Sequence, residues 1–218
     1  MVDKRVISKP DKALVALTTL TANATIYYST DGTTPTEKSD VYSKPFELND
    51  YATVKAKAFE KGKQPSDVAQ LEVEAFDPKI NGLNYEYFEG EWINTSDFEN
   101  LTPLKKGKST GFDITTIKGR EDHFGIKFNG SILIPRGGNY TFYLLSDDGS
   151  KLYIDGKLII DNDGFHGEVE KTGSVELSYG KHSIRVDYFD NVNGESLKLF
   201  YGFRGLRNEI PLRWFTHE

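Results

Sequence analysis

The sequence predicts an all-β chain, a small immunoglobulin- or fibronectin-like sandwich followed by a larger β-sandwich or barrel. Three observations carry this. Aromatic residues make up 13% of the 218 residues, mostly Tyr and Phe, and such side chains suit pleated, half-buried strands. Apolar and polar residues alternate with period two through many short runs, each bounded by Gly, Pro, Asn or Asp. No run carries a helical periodicity of convincing length, so the sheets must close on themselves or pack on one another.

The first strand-like run covers residues 25–30, and a polar turn follows at 31–36. Residues 53–59 alternate so that Val54, Ala56 and Ala58 share one face while Lys55 and Lys57 take the other. Gly62 and Pro65 break the chain before the run at 69–75. Pro78 and Asn81-Gly82 then separate that run from a new alternation at 83–88, which places one domain at 1–77 and a second at 78–218.

In the second domain a long run at 124–134 ends at Pro135-Arg136-Gly137-Gly138. Residues 140–145 are apolar enough for a buried strand. Residues 151–154 lead into Asp155-Gly156, a pair whose glycine tolerates the positive φ of a tight hairpin. The run at 158–161 returns, and further strands are predicted at 174–177, 182–189 and 197–201.

Composition excludes several functions. The net charge is −6 and no basic run exceeds two residues, which argues against nucleic acid as a partner. No stretch approaches the 18 or more apolar residues of a membrane span. The absence of cysteine rules out a disulfide framework and thiolate metal sites, while leaving export open. Met1 to Arg5 shows no apolar signal-peptide core, and Met1 is the single methionine, which fits both a start placed inside a longer natural chain and a short protein. No nucleophile elbow, phosphate loop or zinc helix motif is present. With 33 acidic residues, close carboxylate pairs arise by chance and do not indicate glycoside hydrolysis. The chain reads as non-catalytic.

Two resemblances rest on longer strings. Ile26-Tyr27-Tyr28-Ser29-Thr30-Asp31-Gly32 with Pro35, then Val41-Tyr42 and Pro45-Phe46, then Val54 to Phe59, resembles the chitobiase/β-hexosaminidase C-terminal type domain. That resemblance implies a fibronectin-like spacer without catalytic residues. Gly82-Leu83, Gly138-Asn139-Tyr140, Ser146-Asp147-Asp148-Gly149-Ser150 with Leu152 to Lys157, and Arg185-Val186-Asp187-Tyr188-Phe189 resemble the PA-14 domain. In yeast adhesins of that family two consecutive aspartates joined by a cis peptide, with an asparagine from a later loop, hold a Ca²⁺ that grips two sugar hydroxyls. The resemblance assigns these roles to Asp147, Asp148 and Asn191. The chemistry is sound, because Ca²⁺ takes six to eight hard oxygens and a vicinal diol can complete an open shell. The plain alternative is a turn in which the aspartates bond local backbone N–H groups.

Other candidates are weaker. Tyr153 and Phe165 lie near the aspartate pair in sequence and could stack on a pyranose; Trp92 and Trp214 read as core. The string 161–166 resembles the start of an EF-hand but lacks the position-twelve Glu and flanking helices. His166 reads as a loop histidine, with no ligand-spaced partner. Taken with the resemblances, these features imply an accessory region of an exported bacterial glycosidase, similar to β-N-acetylhexosaminidases. Its location would be secreted, periplasmic or cell-surface, and its partners a terminal glycan and a catalytic domain. The rival reading is a pair of structural or protein-interaction modules that position a catalytic domain and bind no sugar.

Overall fold

Alternating strands with one apolar face need a second layer to cover it, and the chain builds two such layered units. The computed structural model describes residues 3–218, which fall into the units Met1–Pro78 and Lys79–Glu218. Among the described residues there is no α-helix, only two 3₁₀ turns at Thr95–Phe98 and Leu212–Trp214.

The first unit contains β1 (Asp3–Ser8), β2 (Ala13–Val15), β3 (Thr25–Ser29), β4 (Asp40–Val41), β5 (Phe46–Leu48), β6 (Ala52–Phe59) and β7 (Ala69–Phe76). Five of them form a sheet ordered β1-β7-β6-β3-β4, in which β1 runs parallel to β7, and β2 pairs with β5 alone. Strand β6 buries Ala52, Val54 and Ala56 and turns Lys55 and Lys57 outward, the two-faced pattern its alternation predicts. Small side chains dominate the interior, with Ala13, Ala75, Val73 and Ile7 at its centre.

The second unit contains β8 (Leu83–Glu89), β9 (Lys105–Ser109), β10 (Phe124–Ile134), β11 (Gly138–Asp147), β12 (Ser150–Ile154), β13 (Lys157–Asn162), β14 (Val169–Leu177), β15 (Gly180–Asp190), β16 (Ser196–Phe203), β17 (Leu206–Glu209) and β18 (Phe215–Thr216). One sheet runs β13-β12-β15-β10-β8-β9 with β18 added beside β10; the other runs β14-β11-β16-β17. Their inner faces share one core. Phe124, Ile126, Phe128, Leu152, Val186 and Tyr188 come from the first sheet, and Tyr140, Phe142 and Leu144 from the second. The Asp155-Gly156 turn has φ of 50° and 74°, the left-handed pair that a two-residue hairpin requires.

The outer face of the larger sheet carries a ladder of charge. Reading across paired strands, Asp161 faces Lys151, Lys151 faces Asp187, Asp187 faces Lys127, Lys127 faces Glu86, and Glu86 faces Lys106. The signs alternate over six strands, the arrangement that favours cross-strand pairs. The next outward row reads Tyr153, Arg185, Asn129, Asn84 and Lys108, and it contains no acid.

Candidate functional site

Strand β11 belongs to the smaller sheet and β12 to the larger, so the turn between them carries the chain from one layer to the other. That turn is Asp147-Asp148-Gly149, and the Asp147–Asp148 peptide is cis. Beneath it sits a sealed polar knot: the Ser146 and Ser150 hydroxyls meet at 2.6 Å, and Asn162 donates to Ser146 at 3.0 Å, all three residues being fully buried. Buried hydroxyls and amides need such partners, which is why serines flank the aspartates. Gly149 is required by space, since a Cβ there would stand 2.9 Å from the Gly164 backbone nitrogen and closer still to the Phe189 ring.

Asp148 is buried and hydrogen-bonded on both oxygens. Its Oδ1 accepts the backbone N–H of His166 at 2.9 Å and its Oδ2 that of Asn191 at 2.8 Å, so one carboxylate ties down two loops. Asp147 is half-buried, and the Tyr188 hydroxyl donates to its backbone carbonyl at 2.6 Å. Burial, and then the neighbouring Asp148, push the Asp147 carboxyl above its ordinary value.

Asp190, at the end of β15, had no signal as a site residue. It is fully buried, and neither carboxylate oxygen has a hydrogen-bond partner. Burial first, then Asp148, Asp122, Glu195 and Asp147, push its carboxyl up to about 7. A buried acid on an apolar strand reads from sequence as an exposed charge, and only the register reveals otherwise.

The remaining candidates fall in different places. Asn191 reaches Asp148 through its backbone, while its side chain is paired with Trp92, donating to the carbonyl at 2.6 Å and accepting the N–H at 3.3 Å. Its amide therefore stitches the 190–195 loop to the segment before the Thr95–Phe98 turn. Phe165 is 60% exposed and sits beside His166, so the Asp148 clamp brings it with the loop. Tyr153 points elsewhere: the Arg185 guanidinium lies 3.9 Å from its ring centre, and both line a groove that includes neither aspartate. Trp92 packs with Phe88, Phe98 and Phe189 in a satellite cluster, and Trp214 lies in the main core, as their core reading expects. The 161–166 segment forms an ordinary turn, with Asp161 accepting the Asp163 N–H at 3.1 Å and Asp163 accepting from Thr95.

Four loops thus converge: 91–95, 147–149, 162–168 and 190–195. Among the described residues no three acidic or histidine side chains are drawn together as a ready-made metal cage. What the loops offer is an open rim with one acid hydrogen-bonded on both oxygens, one half-exposed acid and one buried acid without hydrogen-bond partners.

Residues 81–215 match the PA14 domain. The chain belongs to the PA14 family. Its first unit matches the Fn3-associated domain over residues 15–73, so a PA14 domain follows an Fn3-associated one. The anti-sigma-I factor RsgI3 of Acetivibrio thermocellus is 27% identical over 126 residues, 56% of this chain and 20% of that protein. A β-hexosaminidase of Porphyromonas gingivalis is 25% identical over 208 residues, 86% of this chain and 26% of that protein. The chain spans about a fifth to a quarter of the length of these two relatives. Among solved structures, an anti-sigma factor domain-containing protein superposes with a TM-score of 0.55 at 20% identity, covering 89% of this chain and 76% of its own. A PA14 sugar-binding domain from an RTX adhesin gives 0.53 at 18%, covering 64% and 99%. These likenesses establish the shared fold.

Proposed function

We propose that this chain is a non-catalytic accessory region of an exported glycoside hydrolase, with the Fn3-associated unit as spacer and the PA14 unit as a cation-dependent sugar binder. The observation that carries the reading is Asp190. A buried carboxylate with both oxygens unpaired is costly, by several kcal/mol for an uncompensated charge, and its neighbours Asp147 and Asp148 add like charge. A divalent cation at the loop rim would offset all three. Ca²⁺ suits an all-oxygen donor set; Asp147, Asp148 and Asp190 do not form a ready-made cage and would have to close round the ion to supply the carboxylates. Bound there, the ion would offer open coordination positions to vicinal sugar hydroxyls. Asn191, with its amide held by Trp92, would fix the loop instead of ligating. Exposed Phe165 would cover the apolar face of a pyranose.

Two comparisons support the reading: the shared fold with a domain described as sugar-binding, and the partial match to a β-hexosaminidase. Tethering such a head to a catalytic domain raises the effective substrate concentration without new chemistry. Calcium titration by calorimetry on the intact chain and on Asp190→Asn, followed by a glycan array with and without chelator, tests it. Heat from the parent chain alone, and array signals lost with chelator, are expected. Glycan signals indifferent to chelator would sink the cation role, and no signal from any glycan would sink the sugar role. Turnover of nitrophenyl glycosides by the chain itself would overturn the non-catalytic assignment.

A second reading is favoured by Asp148, each of whose oxygens already accepts a backbone N–H group. In it, the turn is a structural clamp and both units only position a catalytic domain. Asp148→Ala would then lower the melting temperature while no calcium heat is seen in either protein.

A further inference from the structure

On the outer face of the larger PA14 sheet one row alternates acids with cations, and the next holds cations and no acid. In the ladder row Asp187 is flanked by Lys127 and Lys151, and Arg185, one row on, lies 3.2 Å from the same carboxylate. One acid therefore has three cations around it, and Arg185 is the one that reaches it as an ion pair, while its Oδ1 takes no hydrogen bond. Lys151 has a second acid in Asp163, and Lys127 donates to the Glu99 carbonyl at 2.8 Å. Arg185 has neither. Apart from Asp187 its contact is the face of Tyr153, and its Nε is buried without a hydrogen-bond partner. The other nearby acid, Asp155, is committed: Oδ1 accepts the Ser183 N–H at 2.9 Å and Oδ2 lies 2.6 Å from His182 Nδ1.

Arg185 opens onto a groove of about 390 Å³, lined also by Asn129, Tyr153, Gly156 and Ser183. That volume suits a small ligand and is too little for a folded surface. Stacking on Tyr153 fixes the plane of the guanidinium; one terminal nitrogen is engaged by Asp187 and Nε is buried, which leaves the remaining terminal N–H groups to meet a carboxylate. We propose that this groove is a second binding site, distinct from the aspartate loops, and that it takes a hexuronic acid unit of an acidic polysaccharide. The guanidinium holds the carboxylate; the Asn129 amide and the Ser183 and Tyr153 hydroxyls are placed to meet ring hydroxyls. A peptide fits poorly. The strands beneath, β12, β15 and β10, are interior to the sheet and present no open edge for strand addition.

The test is calorimetric titration of the intact chain with oligomers of glucuronic and galacturonic acid, alongside their carboxyl-reduced counterparts and an oligoglutamate. At least one uronate oligomer should bind, its reduced form at least tenfold more weakly, with affinity falling as salt rises. Chelator and Asp190→Asn should leave this binding unchanged, which separates it from the proposed calcium site. Arg185→Gln should weaken it at least tenfold. Ser183→Glu, a change at an exposed strand position that sets a carboxylate beside the guanidinium, should do the same in a protein that melts like the parent. Equal affinity for native and reduced oligomers, insensitivity to both variants, or no uronate binding at all would overturn the site. Oligoglutamate bound as tightly as the uronates would overturn its assignment to a sugar.

Discussion

Asp148 and Asp190 are both fully or almost fully buried, and they stand at the same loop cluster, yet their surroundings are opposite. Asp148 has a backbone N–H on each oxygen, while Asp190 has nothing on either. The first acid is spent on architecture, pinning the loops at 166 and 191 to the β11–β12 turn. The second contributes nothing that a protonated acid or an amide could not. Nothing within the chain meets it, and for that reason the proposed cation is centred on Asp190 and not on the more conspicuous pair.

Removing the hydrogen-bonded acid should have the largest effect. Asp148→Ala leaves two buried donors unmet, at a cost of about 3 kcal/mol, which lowers the melting temperature by roughly 10 °C in calorimetry. Gly149→Ala comes next, because a methyl group there must displace Phe189 or the Gly164 backbone; about 2 kcal/mol is expected from overpacking. Asp190→Asn should go the other way, raising cation-free stability by about 1 kcal/mol in chemical denaturation, since it removes a charge that has no partner. If Asp190→Asn destabilises as much as Asp148→Ala, the contrast between the two acids is wrong.

A smaller effect is expected from the ladder. Burial outweighs the neighbouring Arg185 and Lys127 and pushes the Asp187 carboxyl up to about 6. The folded chain thus keeps a proton there that the unfolded chain has lost, so this residue's contribution to stability falls as pH rises from about 4 through about 6. Asp187→Asn should flatten that part of the stability profile, measured as melting temperature against pH. An unchanged profile would mean that the carboxylate is ionised and fully paired.

Much of this architecture was legible. The strands β6, β10, β11 and β15 alternate or run apolar for long enough to be read directly, and Asp155-Gly156 marks its hairpin. The short strands β2, β4, β5 and β18 carry two or three residues each, too few for a period to register. Strand β14 begins at Val169, five residues ahead of its visible alternation, because its early residues are mostly exposed. At the site, the aspartate turn and the 190–195 loop could be named from residue strings. The direction of the Asn191 amide, the isolation of Asp190 and the stacking of Arg185 on Tyr153 could not. Each depends on strands or loops brought together from far apart in the chain, and local pattern holds no record of that register.

The charge ladder has a consequence for how the sheet is assembled. A strand that pairs one residue out of place exposes its apolar side chains, and the core corrects the error. A slide of two residues is different, because every side chain keeps its face and only the fit between particular side chains is lost. Moving β15 by two would bring Arg185 into the place of Asp187, between Lys127 and Lys151. Three cations in a line on adjacent strands repel one another. The alternating row therefore adds a charge penalty to a pairing mistake that leaves every side chain on its own face, and it does so on the outer face of the sheet, where Asp187 and Lys127 are themselves buried.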